Sequence, residues 1–313
     1  MLLKRAAAAF ADWFWSNMAV GAFGVWLVAQ VFRDATRPTA LCFLVPTVVF
    51  SATLLLTALL ARLCTCRRIA LAAAVLWVFP TASLLLVENQ WIRPRPKGEP
   101  AKALRLVHWN VGDAHGNWKA VLEQLQRHEA DAYALSEVFD TPSLENLARA
   151  LGSDYSVVHV RQVALLTRGP AKLVMTDERI RSRAYFIEWQ TKAGPLVLLF
   201  VDLPSRPIYY HADWLEKVDE RISKLTPDLI LGDFNASRRS WGLARLPEGY
   251  GHAYYAAGAG WGYTWPDPFP LWDLDQCVFG PKIRPIRYDL FSNGVSDHRM
   301  QVFEFSLAEP AAK

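Results

Sequence analysis

The sequence predicts an α/β sandwich domain preceded by an N-terminal region of three transmembrane helices. Three observations carry this. Long uncharged stretches are confined to the first 88 residues. From residue 104 onwards short apolar runs alternate with a few amphipathic segments. Several of those runs begin or end on an acidic or amide side chain.

The uncharged stretches are Trp13–Phe32, Pro38–Ala61 and Ile69–Val87. Each is long enough, as a helix, to cross a hydrocarbon core of roughly 30 Å. Three in succession without a cleavage-site pattern read as spans rather than a signal peptide. The expected division is a membrane region over 1–88, a linker over 89–103 and an α/β domain over 104–308. Residues 1–100 hold ten Lys/Arg and four Asp/Glu, so the chain's formal charge of +4 belongs to the membrane region. The rest is faintly acidic, which gives no electrostatic basis for tight nonspecific nucleic-acid binding. Lys4, Arg5, Arg62, Arg67 and Arg68 would share one membrane face, and Arg33, Arg37, Arg93, Arg95 and Lys97 the other. The compact 62–68 cluster tips this even count toward an inside N-terminus, with the C-terminal domain on the outer face. Cys277 is the sole cysteine beyond residue 66, so the domain holds no internal disulfide.

The linker, "ENQWIRPRPKGEPAKA" (88–103), is polar and proline-rich, as expected of an extended, stiff spacer with Trp91 at the membrane interface. Period-2 and unbroken apolar runs predict strands at 104–110, 131–137, 155–160, 163–167, 171–176, 183–190, 195–202, 228–232, 274–279, 284–289 and 299–306. Helical spacing predicts helices at 117–129, 142–151 and about 208–225. Many strands, few helices and mixed connection lengths indicate a sandwich rather than a doubly wound parallel sheet.

The strand ends carry the chemistry. Asn110 ends one strand, Glu137 the next and Asp202 another, and "LILGDFNAS" (229–237) opens onto Asp233 and Asn235. Asp275 begins a strand, and Asp297 and His298 precede the last. Side chains at i and i+2 of an extended segment share a face, so Asp233 and Asn235 can converge on one water, metal or phosphate. Acidic groups so placed cost desolvation unless partnered. Side by side they would form an acidic edge suited to a hard divalent cation.

In order and spacing, "VHWNVG" (107–112), "ALSEV" (134–138), "LGDFNAS" (231–237), "GYTW" (262–265), "LDQCVF" (274–279) and "SDHRMQVFEF" (296–305) resemble the endonuclease/exonuclease/phosphatase superfamily. That resemblance implies a deoxyribonuclease-I-like four-layer α/β sandwich and a hydrolase. It implies Glu137 as the main metal ligand, with Asn110 beside it and Asp297 contributing; the metal is Mg2+, with Mn2+ as the alternative. Asp233 would orient or deprotonate the attacking water, and Asn235 would donate to phosphoryl oxygens. His298 would bind phosphate or shuttle a proton, its tautomer fixed by Asp275. Which of Asp233 and His298 is the base stays open.

Two positions depart from the pattern: Asp202 and Gln276 stand where many relatives carry His. Asp202 therefore takes an altered role, toward metal or substrate, or marks a weakened enzyme. Arg238 and Arg239 are candidates for a second phosphate, and Trp265 for substrate contact. The aromatic segment 254–272 offers a stacking platform, a lipid-dipping loop, or simple packing. The expected activity is a membrane-anchored, metal-dependent phosphodiesterase acting by direct water attack. Nucleic acid leads as substrate, a phospholipid head group follows, and a non-catalytic scaffold is the remaining class. No protein partner is evident.

Overall fold

A computed structural model describes residues 2–112, 116–176, 183–205 and 212–308. The chain divides into two compact units, Met1–Gln90 and Trp91–Lys313.

The first unit is helical: α1 (Leu2–Phe32), α2 (Arg37–Leu44), α3 (Thr47–Leu63) and α4 (Arg67–Ser83), the last continued by a π turn at Leu84–Glu88. Ala9–Phe32 and Arg67–Glu88 are each long and apolar enough to cross a membrane. The middle stretch differs from the single helix expected over 38–61: α2 and α3 meet at 67°. Pro46 is the cause. It lacks an N–H and pushes the preceding residue out of the α region, and Val45 is extended (φ −72°, ψ 120°). Ala19, Leu54, Ala58 and Ala73 pack at the centre of the unit, while Val20, Leu56, Leu71, Val78 and Leu86 face outward. Alanines at the contacts let the helices approach closely, and large apolar side chains are left exposed on the outside.

In the second unit twelve strands are described: β1 (Leu104–Asn110), β2 (Ala132–Ser136), β3 (Tyr155–Val160), β4 (Val163–Arg168), β5 (Ala171–Thr176), β6 (Ala184–Thr191), β7 (Gly194–Asp202), β8 (Leu229–Asp233), β9 (Gly251–His252), β10 (Asp275–Phe279), β11 (Ile283–Phe291) and β12 (Met300–Leu307). They form two six-stranded mixed sheets, ordered β11-β12-β1-β2-β4-β3 and β5-β6-β7-β8-β10-β9. The parallel pairs are β1/β2 and β7/β8.

Leu104, Leu106, Trp189, Leu198, Phe200, Leu231, Phe303 and Phe305 fill the space between the sheets. The opposite faces are also covered. Val107 and Trp109 lie under α5 (Trp118–Arg127) and α6 (Thr141–Leu151). Leu199 and Ile230 lie under α7 (Ala212–Leu225). Burial on both faces explains why the central strands read as unbroken apolar runs. The result is helix, sheet, sheet, helix, the expected four layers. Residues 208–211 of the expected third helix lie outside the described residues.

The proline-rich segment is not a free spacer. Lys97 and Gly98 donate backbone hydrogen bonds to Pro285 O on β11, and Arg93 pairs with Asp289 at 2.5 Å. A Cβ on Gly98 would collide with Arg284 O, so this glycine permits the close approach. The short α8 (Trp241–Ala244), α9 (Ala253–Ala257) and β9 had no periodic signature in the sequence.

Candidate active site

Strand register gathers the polar ends. Asp202 lies opposite Asp233 in the β7/β8 pair, Asp275 opposite Asp233 in β10/β8, and Asn110 opposite Ser136, one residue before Glu137, in β1/β2. Both central parallel pairs therefore end at the same edge. Gly232 (φ +139°) is required there, since a Cβ would strike the Val201 carbonyl. Glu137 (φ +58°) and Asn235 (φ +47°) are left-handed. Asn accepts that conformation readily, whereas for Glu it is strained and typical of a functional position.

Asn110 is the hub. Its Nδ2 donates to Glu137 Oε1 (3.1 Å) and Asp233 Oδ2 (3.0 Å), and its Oδ1 accepts from Gly112 N (3.0 Å). In this arrangement one lone pair of the amide oxygen is engaged by backbone and the amide nitrogen faces the carboxylates. Asn110 spaces and orients the two acids. Asp233 Oδ1 also accepts from Asn235 N at 2.9 Å, closing the turn that presents Asn235. One Asn235 amide hydrogen goes to Leu203 O (2.8 Å), which leaves the second for the cleft.

On the other side of Asp233 stands His298, with Nε2 4.0 Å from Asp233 Oδ2 and Nδ1 2.8 Å from Asp275 Oδ2. The Ser-Asp-His turn is pinned to β1: Ser296 Oγ donates to Asn110 O (2.7 Å) and accepts from His298 N (3.0 Å). Trp109 Nε1 donates to His298 O. Thr264 Oγ1 accepts from Asp275 N at 3.2 Å. These anchors went unrecognised in the sequence, where a Ser before Asp-His reads as turn chemistry.

The electrostatics divide the roles. Burial disfavours the His298 cation, but the adjoining Asp275 outweighs it and lifts the imidazole to about 10. Asp275 is correspondingly held below the usual carboxylate range: burial pushes it up, and the His298 charge overrides that. Burial, then the Asp275 charge, raise Asp233 to about 7. The pair is thus an ionised donor–acceptor couple beside a carboxylate poised near neutrality.

Asp233, Asp275 and His298 have oxygen and nitrogen atoms within 4.8 Å of one another, close enough to hold a metal ion. Their bonding argues otherwise, because the His298–Asp275 contact is a proton-mediated hydrogen bond and a doubly protonated imidazole has no lone pair to give. Glu137 fits a divalent cation better. It is half-buried on the cleft, and Asp202 and Asp233 add acidic charge beside it. Burial first, then Asp233, push Asp202 well above the carboxylate range, with Glu137 contributing. That surplus of negative charge is what a hard cation relieves. Asp297 is exposed and accepts from Trp265 Nε1 at 2.8 Å, so Trp265 holds it at the rim. The Trp265 ring centroid is 6.4 Å from that of His298.

A cleft of about 610 Å³ runs from Glu137 and Asn235 past Asp202, Arg161, Gln162, Arg183 and Phe139. Asp202 accepts from Gln162 Nε2 and lies 3.6 Å from Arg183. The substitute for the usual histidine is therefore a buried carboxyl in the wall of the cleft, held by Gln162 with Arg183 beside it. Arg238 does not reach this cleft, contrary to its expected phosphate contact. It is buried, bonded to Asp273 (2.6 Å) and Gly262 O, and stacked 4.1 Å over the Tyr254 ring. Arg239 is half-buried. Gln276 is buried too, donating to Ala236 O (2.9 Å) and Asp273 O, so it braces the turn after Asp233. Most of the aromatic segment packs: Tyr254 and Tyr263 are buried, whereas Phe269 is 81 % exposed.

A family model described as the endonuclease/exonuclease/phosphatase family matches residues 107–298. The chain belongs to that family. Among solved structures, humanized D. rerio TDP2 aligns with TM-score 0.54 and 18 % identity, over 66 % of this chain and 99 % of that one. D. rerio TDP2 complexed with single strand DNA product aligns at 0.53 and 16 %, over 65 % and 99 %. The Bacteroides thetaiotaomicron mannosyl-6-phosphatase Bt3783 aligns at 0.51 and 13 %, over 66 % and 100 %. At these identities the likeness establishes the deoxyribonuclease-I-like fold. No curated protein matches in sequence. The family is one of divalent-metal phosphoester hydrolases, and the acidic edge of this chain is consistent with that chemistry.

Proposed function

We propose that this protein is a membrane-anchored phosphodiesterase that hydrolyses its substrate by direct attack of water. The observation that carries the reading is the continuous chain Glu137–Asn110–Asp233 facing His298–Asp275 along one sheet edge. Asp233, raised toward neutrality, accepts the proton of the attacking water. Asn110 holds its carboxylate in place. The free amide hydrogen of Asn235 and the Nε2–H of His298 donate to phosphoryl oxygens as negative charge builds on them. Asp275 fixes the His298 tautomer. Mg2+ or Mn2+, held by Glu137 with a contribution from Asp297, would polarise the phosphoryl oxygen and stabilise the leaving oxygen.

Nucleic acid is the favoured substrate. The cleft, of about 610 Å³, has room for more than one phosphate, the exposed Phe139 lines it, and a protein of the same fold is described with a single strand DNA product. The second reading, a phospholipid head group, is supported by the outward apolar faces of the N-terminal helices. With α2 and α3 counted as one broken span there are three crossings. The count of basic residues is even, and the compact 62–68 cluster tips it toward a catalytic domain on the outer face.

The test offers the full chain in detergent supercoiled DNA, RNA and mixed phospholipid vesicles, in Mg2+, Mn2+ and EDTA, beside Glu137→Ala. Nucleic-acid cleavage lost in EDTA and in the variant is expected. Vesicle turnover alone would move the assignment to the lipid enzyme. Inertness on all three in either metal would overturn the hydrolase reading.

A further inference from the structure

Beneath the site a second polar layer lies buried between the sheets, and the chemistry above does not use it. His108 on β1 and Gln301 on β12 are directly opposed in the antiparallel register, so their side chains share the inner face. His108 Nε2 meets Ser136 Oγ at 3.2 Å. Its Nδ1 points at the second oxygen of Asp275, 4.0 Å away, while the first oxygen holds His298. His108 Nδ1, Asp275 Oδ1 and both amide atoms of Gln301 are buried without a hydrogen-bond partner among the described residues.

Buried polar atoms are expensive to leave unpaired, by roughly 1–3 kcal/mol each. Several in one closed layer therefore need a reason. The set offers Nδ1–H as donor, a carboxylate oxygen as acceptor, and an amide that is both. These are the two to four partners a single internal water requires. Ser136 can donate to Nε2, which leaves the proton on Nδ1, facing Asp275.

We infer that His108 is a positioning residue that, with Gln301 and one internal water, clamps the rear oxygen of Asp275 and so fixes the His298 imidazole toward the reacting phosphate. The Asp275 carboxylate then bridges two imidazoles, one at the substrate and one in the core. Removing the outer partner of a metal-ligating histidine or carboxylate typically costs 10–100-fold in function, and a loss of that order is the expectation for the carboxylate–imidazole pair here. The inference rests on the hydrolase reading, and its test separates the two.

The full chain in detergent is compared with His108→Leu, which keeps bulk and removes polarity, and His108→Asn, whose amide nitrogen takes the place of Nδ1. With bis(p-nitrophenyl) phosphate in Mg2+, His108→Leu should lower kcat about tenfold or more with KM within about twofold, and His108→Asn should recover part of the loss. In parallel, the Nδ1 proton of His298 is followed by NMR with selective 15N-histidine labelling, assigned by its absence in His298→Gln. It should shift in His108→Leu and return toward the native position in His108→Asn. Equal turnover and an unmoved proton in His108→Leu would overturn the inference. So would equal impairment of both variants with equal loss of melting temperature, which is simple packing. If the wild-type chain hydrolyses nothing, the hydrolase reading fails, and the proton's position still decides the clamp.

Discussion

Two buried acid–base constellations lie a few residues apart, and they are built on opposite principles. Arg238 and Asp273 form a closed pair: the guanidinium bonds the carboxylate and Gly262 O and stacks on Tyr254. Around Asp233 the account is left open. Asp202, Asp233 and Glu137 crowd one edge; the His298 cation is already committed to Asp275, and Arg183 stands 3.6 Å from Asp202. A completed pair holds a loop, whereas an uncompleted one retains charge to spend on a ligand. Spacing from the Gly-Asp-Phe-Asn turn does not separate them, since Arg238 lies only five residues beyond Asp233.

The largest stability effect should come from the closed pair. Arg238→Ala leaves Asp273 buried and unpaired and is expected to cost about 3–5 kcal/mol, read by urea unfolding. Loss below about 1 kcal/mol would mean the pair is not structural. The open site should respond in the other direction. An acid raised by burial carries no penalty below its unfolded pKa of about 3.9. As pH rises the unfolded chain ionises first, binds fewer protons than the folded one, and stability falls until Asp202 itself ionises. Asp202→Asn removes that fall, so in EDTA its melting temperature should gain on wild type between pH 4 and pH 8. A constant difference across that range would place the strain elsewhere. The smallest effect belongs to Phe269→Ser, an exposed loop tip, within about 0.5 kcal/mol of wild type. If it nonetheless weakens turnover on vesicles and spares DNA, the loop faces lipid.

Much of this was legible in the sequence. β1, buried on both faces, begins and ends with its apolar run, and the half-exposed edge strands β3 and β5 keep their predicted bounds through alternation and flanking turn residues. The strand-end acids were legible too, since apolar runs do not end in carboxylates without cause. What was hidden depends on distant partners. Arg238 turns inward because Asp273 waits 35 residues on. The Asn110 amide faces Glu137 and Asp233 because Gly112 N claims its oxygen. His108 looked like one more alternating strand residue, and only the other sheet supplies Asp275. The α2–α3 break was signalled by Pro46 within an otherwise uniform apolar stretch, where hydropathy drowned the backbone cue.

The central claim is that Asp233 activates the attacking water while Asn110 and His298 hold the stage around it. The direct measurement is single-turnover hydrolysis of bis(p-nitrophenyl) phosphate by wild type and Asp233→Asn, full chain, in saturating Mg2+. The near-isosteric amide keeps its oxygen for one of the two donors, Asn110 or Asn235, sets an NH2 against the other, and removes the base. The account predicts a fall of about 10²–10⁴-fold in the chemical step, with metal binding retained and the protein still folded at the assay temperature. Turnover within about threefold of wild type, on a scale where a lost base costs at least a hundredfold, would contradict it and shift the base to His298.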